Sequence, residues 1–278
     1  SISRLSLADA TKATLYVSDS GTNEVTMFAW PKPKTGSALS GPFSEPQGMC
    51  SDNSGDVFIT NTGDSNVLEY NGSKLVNTLL DPGEYPVGCS FDTVDGSLAV
   101  VNIRSTGGGA SSVAIYKNAK GTPKLLNVKV LQSVYGVQYD GSGDLFADGS
   151  GTGSQIELAE MPAGSNKFKL VCPNGFHGGG VVAFPGGLGW DGKYLVIGDQ
   201  DGGAVYRVKG CKIVGITKLD GSVDVVSFAI AGDRLVAPDP GAADVELYAY
   251  PKGGEPIQVL SGFSEPIGAT VSQNVKGK

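Results

Sequence analysis

Apolar and polar residues alternate in short runs along the chain, and six of these runs stop on the same kind of residue. LYVSD ends at Asp19, VFITN at Asn61, LAVVN at Asn102, DLFAD at Asp148, LVIGD at Asp199 and RLVAPD at Asp239. Each is followed by a loop containing Gly, Ser or Thr. An Asp or Asn side chain in that place can fold onto backbone amides and end a strand. Successive members of the set lie 42, 41, 46, 51 and 40 residues apart. That is the repeat length of a four-stranded propeller blade.

Three further strands fall into register around each mark. Before it comes a run built on Gly48, Gly88, Gly136, Gly187 or Gly268, with Ser227 in the sixth unit. After it comes an alternating run: VTMFAW, NVLEYN, VAIYKN, IELAEM, AVYRV or VELYAY. A fourth follows in most units, such as KLVNTLL or KIVGITKL. No segment carries a helical period. The chain opens without a first strand and closes with one, and Phe43–Gly48 (FSEPQG) recurs as Phe263–Gly268 (FSEPIG). The last strand is therefore expected to complete the first sheet. The predicted fold is an all-β, six-bladed β-propeller forming a single domain over 1–278. Its blades are expected at 13–40 plus 263–273, 43–81, 84–128, 131–172, 181–219 and 222–260.

Composition narrows the choice of partner. Forty-two glycines with 40% hydrophobic residues suit many short strands and tight turns around a core. No apolar run reaches 18 residues, so no helical membrane span is expected. A formal net charge of −7 argues against nucleic acid or an anionic membrane as the partner. The four cysteines form no CxxC pair. Cys50 and Cys89 follow the anchor glycines of neighbouring first strands, and Cys172 and Cys211 lie near neighbouring outer strands. Two disulfides are the candidate pairing, and buried thiols are the alternative. An even count in a Gly- and Ser-rich acidic chain leans towards a secreted or periplasmic protein, expected to be a monomer.

Tyr16–Phe28 (YVSDSGTNEVTMF) resembles an NHL repeat. So does the recurrent P-x-G followed by D-x-x-G-x-V/L-F/Y-I/V-x-D/N, over nearly the whole chain. The resemblance implies a six-bladed propeller whose relatives include binding modules, lyases and hydrolases. Relatives similar to lactonases and calcium-dependent phosphotriesterases carry their metal ligands in the first strands. The matching positions here are Gln47, Val87, Tyr135, Gly186, Val226 and Ile267, of which only Gln47 could ligate. If calcium binds, Glu45 and Glu265 at the channel mouth are its candidate ligands. A zinc site of the amidating-lyase kind needs several histidines, and His177 is alone.

In a propeller, the loops from strand two to three and from strand four to the next blade share one face. Asp19, Asn61, Asn102, Asp148, Asp199 and Asp239 are placed there, with Glu45, Glu84, Asp224 and Glu265 nearest the axis and Arg104 as the clearest cation. The opposite face is assigned lysines such as Lys32, Lys74, Lys117 and Lys212. The acidic face is thus expected to bind a cation, a small ligand or a protein through these groups and Gln47. The alternative is that the Asp and Asn residues only cap strands. Tyr85 and Tyr135 lie in first strands and could line an axial pocket. His177 sits in a glycine-rich segment (PNGFHGGGVVAFPGG) that could fold over the channel; His177, as a general base, and Glu45 at the channel mouth are the catalytic candidates. A hydrolase or lyase working in the axial pocket is therefore the rival to a binding protein.

Overall fold

A computed structural model describes residues 13–151, 156–173, 175–178 and 184–273. Twenty-four strands form six antiparallel sheets of four. Blade 1 holds β1 (Ala13–Asp19), β2 (Glu24–Ala29) and β3 (Ser37–Ala38), completed on its inner side by β24 (Pro266–Gln273). Blade 2 comprises β4 (Pro46–Ser51), β5 (Asp56–Asn61), β6 (Asn66–Asn71) and β7 (Lys74–Leu80). Blade 3 comprises β8 (Glu84–Phe91), β9 (Leu98–Ser105), β10 (Ser112–Tyr116) and β11 (Lys124–Leu126). Blade 4 comprises β12 (Ser133–Tyr139), β13 (Leu145–Ser150), β14 (Ile156–Met161) and β15 (Lys169–Leu170). Blade 5 runs through β16 (Pro185–Trp190), β17 (Leu195–Asp199), β18 (Ala204–Lys209) and β19 (Lys212–Lys218). Blade 6 runs through β20 (Ala229–Ala231), β21 (Arg234–Asp239), β22 (Asp244–Ala249) and β23 (Gln258–Ser261). The six-bladed ring closes as the repeat implied, with Leu15 opposite Val271 and Val17 opposite Ala269.

The second strands read as nearly continuous apolar runs because both of their faces are buried. On β1, Leu15 and Val17 pack against blade 6, while Tyr16 turns to blade 2. On β5, Val57 and Ile59 face blade 1 and Phe58 faces blade 3. The core is therefore six apolar seams, one between each pair of neighbouring blades. Each fully buried Leu, Ile, Val or Phe contributes roughly 1.5–3 kcal/mol. Buried tyrosines of the third strands also tie three of the seams with a hydrogen bond. Tyr70 donates to the Ser40 carbonyl, Tyr116 to Leu80 and Tyr248 to Asp220, at 3.1–3.3 Å, each at or just past the end of the outer strand of the preceding blade.

At the axis the first strands approach one another too closely for side chains. A Cβ on Gly48 would lie 2.5 Å from the Val87 carbonyl oxygen, and one on Gly268 would lie 2.4 Å from that of Gln47. The anchor glycines thus set the width of the channel.

Candidate functional site

The channel opens into an axial cavity of about 310 Å³. Gln47, Val87, Tyr135, Val226 and Ile267, each one residue before an anchor position, contribute to its wall. Ile103 and Gln200, each one residue past a strand-ending Asn or Asp, complete the upper part. Among the described residues no charged side chain lines it. Cys89 is tied into a disulfide, which leaves the Tyr135 phenol as the one titratable wall group among the described residues. Gln47 and Gln200 supply amides, Ser227 a hydroxyl and Tyr135 a phenol in a wall that is mostly apolar elsewhere. The pattern is that of a small-ligand pocket: apolar lining with a few polar groups for orientation.

These wall residues do not fit an axial calcium ion, which needs several anionic or carbonyl oxygens in hard coordination. Glu45 and Glu265 are both exposed and lie outside the cavity wall. Glu265 is held by the Ser20 hydroxyl at 2.8 Å, and the Glu45 amide donates to Asn23 Oδ1 at 2.6 Å. Among the described residues no three His, Cys, Asp or Glu side chains gather as ligands.

The Asp and Asn residues that end second strands act first on their own backbone. In blade 1 the Asp19 carboxylate accepts from the amides of Ser264 and Glu265, at 2.7 and 2.8 Å. In blade 2 Asn61 Oδ1 accepts from Ser44 at 2.7 Å. In blade 5 Asp199 Oδ1 accepts from Phe184 at 3.1 Å. In blade 6 Asp239 takes Val223, Asp224 and Ala242, at 2.5, 3.0 and 3.0 Å. Each side chain clamps the loop that enters the innermost strand. These four positions are buried caps, not a ring of free ligands.

Blades 3 and 4 depart from this. Asn102 is fully buried, and its amide reaches the Ser112 hydroxyl at 3.2 Å while its Oδ1 has no hydrogen-bond partner. Ser112 in turn donates to Glu84 at 3.3 Å. Beside them Asp81 is fully buried, and neither of its oxygens has a hydrogen-bond partner. Burial pushes Asp81 up to about 6; the Glu84 charge adds to the push, and the nearby Asn102 amide opposes it. Burial likewise raises Glu84, with the Ser112 hydrogen bond working against it.

In blade 4, Asp148 does not hold the expected register. It pairs with Gly136, and Ala147 pairs with Val137. In blade 2, Met49 after its anchor glycine pairs with Ile59 and Asn61 lies opposite Pro46. By this alignment Asp148 stands where blade 2 has Thr60 and blade 1 has Ser18, and Gly149 stands where Asn61 does. The sequence reading was off by one residue here. Thr60 and Ser18 use hydroxyls to reach Gly48 and Gln47 carbonyls, at 2.8 and 2.6 Å. Asp148 puts a carboxyl in the same buried place, and burial pushes it up to about 7, with the amides of Gly136 and of Asp148 itself opposing. Neither of its oxygens finds a partner with hydrogen-bond geometry.

Other candidates scatter. Arg104 is exposed and stacks over the half-buried Tyr85 ring at 4.8 Å. Tyr135 and Phe184 are exposed at the same face. Asp224 donates its amide to Asp239, while one of its own carboxylate oxygens is buried without a partner. His177 is nowhere near the axis. Its amide donates to the Cys211 carbonyl and its carbonyl accepts from Ile213, which pins it beside the outermost strand of blade 5. The described residues beside His177 follow that strand, and residues 174 and 179–183 of the glycine-rich segment lie outside the described set. The charge pattern is also less polar than expected. The turns between first and second strands share the lysine side, and they carry Asp52, Asp92, Asp140 and Asp191, each closing an Asx turn.

Both proposed disulfides form. Cys50 pairs with Cys89 across blades 2 and 3, and Cys172 pairs with Cys211 across blades 4 and 5, with Cα atoms 5.6 and 5.3 Å apart. No helix among the described residues is long and apolar enough to cross a membrane.

No protein-family model matches the chain, and no curated protein matches it by sequence. Many solved structures match it in shape. One, the crystal structure of a nidogen/laminin complex, superimposes with a TM-score of 0.77 at 13% identity. The match covers 94% of this chain and 99% of the other. At that identity the likeness is one of fold alone: it supports the six-bladed propeller, a common protein-binding scaffold, and leaves the NHL resemblance a matter of local motifs.

Proposed function

We propose that this chain is a secreted binding propeller that takes a small, uncharged ligand in its axial cavity. The observation that carries the reading is the cavity wall: about 310 Å³ bounded by apolar groups, the Gln47 and Gln200 amides and the Tyr135 ring, with no charged side chain. An uncharged wall suits a neutral ligand better than the cation or cationic substrate that an acidic mouth would favour. Binding is preferred over hydrolysis because Glu45 and His177 are not brought together at the cavity, so neither is placed to act on a molecule inside it. Two disulfides linking neighbouring blades suit an oxidising compartment.

The test is a calorimetric and thermal-shift screen of neutral sugars, nucleosides and capped short peptides. Wild type is compared with Gln47→Ala, Gln200→Ala and Tyr135→Ala. A ligand of this cavity loses about tenfold or more in affinity in at least two variants. Ligands that bind all three variants as tightly as wild type would remove the cavity from the account.

A second reading is favoured by the rim. Tyr135, Phe184 and Val223 are 39, 52 and 59% exposed, and Tyr85 carries Arg104 stacked on it. Aromatic and Arg groups around a concave centre are frequent anchors for a protein segment. The fold neighbour in a nidogen/laminin complex is consistent with that use of the scaffold. A peptide-display selection that recovers binders sensitive to Phe184→Ala and Tyr85→Ala, but not to Gln200→Ala, would favour this reading over the first.

A further inference from the structure

The turn Asp81-Pro82-Gly83-Glu84 joins the outer strand of blade 2 to the inner strand of blade 3. Pro at the second place, Gly83 at φ +81° and a 3.2 Å hydrogen bond from the Glu84 amide to the Asp81 carbonyl give it the pattern of a type II turn. A second hydrogen bond, from the Asp81 amide to the Ser65 carbonyl at 3.0 Å, fixes its near end. The turn therefore holds two carboxylates three residues apart on a rigid frame. Asn102, within the second strand β9, and Ser112, at the start of the third, close the group from the blade side through the contacts already described.

What distinguishes this group is how little of its oxygen chemistry is used. Asp81 and Asn102 are 0% exposed and Glu84 is 9% exposed. Among the described residues, both Asp81 oxygens and Asn102 Oδ1 lack a partner with hydrogen-bond geometry, though the Asn102 amide lies near enough to ease the Asp81 charge. Neither carboxylate has an ion-pair partner among the described residues. In blade 2 the matching Asn61 oxygen is satisfied by the Ser44 amide. In blade 3 the residue at that place is Glu84, and its amide is already spent on the turn. Two buried carboxylates without a counter-charge are costly unless a proton or a cation joins them. One shared proton satisfies one of the three orphaned oxygens. A hard cation takes oxygens from carboxylates, amide carbonyls and water together, in flexible geometry and with six to eight ligands.

We propose that blade 3 contains a buried site for a hard divalent cation of the calcium class. Asp81, Glu84 and Asn102 supply the protein oxygens and water completes the shell. The cation takes the place that a backbone amide fills in blade 2 and locks the blade 2–blade 3 connection. This site shares no residue with the axial cavity, so it stands or falls independently of the ligand reading.

The experiment uses the full chain stripped with a chelator and titrated with calcium chloride by calorimetry, with magnesium and sodium as comparison salts. Melting is followed in parallel. One ion is expected to bind with Kd of roughly 10⁻⁴ to 10⁻³ M, the range of extracellular calcium modules, and to raise Tm. Asp81→Asn and Glu84→Gln should each weaken calcium by more than about tenfold, while Asp224→Asn, in blade 6, should bind as wild type does. Asp81→Asn removes a buried charge and keeps the side-chain shape, so it should fold; Glu84→Gln gives a second reading if it does not. The proposal is overturned if millimolar calcium produces neither heat nor a Tm rise in wild type. It is equally overturned if Asp81→Asn and Glu84→Gln bind calcium unchanged. Insensitivity to cations, with Asp81→Asn more stable than wild type, would assign the group a shared proton instead.

Discussion

The second strand and the loop that packs against it near the axis are fitted together in two ways around the ring. In blades 1, 2, 5 and 6 an Asp or Asn oxygen accepts amides from the loop leading to the axis. In blades 3 and 4 buried oxygens are unmatched at Asn102, at Asp81 beside it and at Asp148, while in blade 6, where Asp239 is satisfied, one oxygen each of Asp224 and Asp244 is unmatched. The first arrangement shows that strand-end acids in this fold are mainly structural. The second shows where the repeat has been spent on something other than closing the ring. Native proteins pair nearly all buried polar groups, so such exceptions mark strain, function or both.

The largest effect should come from breaking a satisfied cap. Asp239→Ala leaves the Val223, Asp224 and Ala242 amides without their acceptor, and should cost roughly 3 kcal/mol in denaturant unfolding. A cost under about 1 kcal/mol would mean that water replaces the cap freely.

Repairing an unmatched position should have the opposite sign. Asp148→Thr installs the group that blade 2 uses at Thr60, where the hydroxyl reaches the Gly48 carbonyl. In wild type, Asp148 keeps its proton to about pH 7 in the folded state, against 3.8 as an ordinary Asp. Its contribution to stability is therefore complete below pH 3.8 and is lost as pH rises through about 7. The variant should exceed wild type by on the order of 2 kcal/mol at pH 8, with the gap shrinking at pH 5. A pH-independent difference would deny the buried carboxyl its role.

The smallest effect should come from Ser18, the blade 1 counterpart of Asp148. Its hydroxyl donates to the Gln47 carbonyl and accepts from the Gly268 amide, at 2.6 and 2.9 Å. Ser18→Ala should cost about 1 kcal/mol at any pH between 5 and 8.

The fold was legible because it repeats. Alternation, anchor glycines and strand-ending Asx residues recur at one period, and six weak signals in step make a strong one. Asp148 was misplaced because Gly149 stands where the other blades have Asp or Asn, so the nearest acid in the sequence appears to end a strand that in fact continues to Ser150. His177 was misplaced because a glycine-rich segment carries no side-chain pattern to say which way it turns. Its destination is set by the outer strand of blade 5. Gln200 and Ile103 were missed as wall residues, yet their signal was available: both directly follow a strand-ending Asp or Asn. The Asp81–Glu84 turn could be read from its Pro-Gly centre, but not its burial, which depends on Asn102 and Ser112 arriving from other strands.

Hydrogen exchange of single amides, followed by NMR at pH 7, tests the contrast most directly. Ser264, Glu265 and Val223 are exposed residues in loops, and their amides point at buried carboxylates. They are predicted to exchange at least about a hundredfold more slowly than open loop amides. Asp239→Ala is predicted to release Val223 and Asp224 while leaving Ser264 and Glu265 protected. Exchange of these amides at open-loop rates in the wild type would contradict the account.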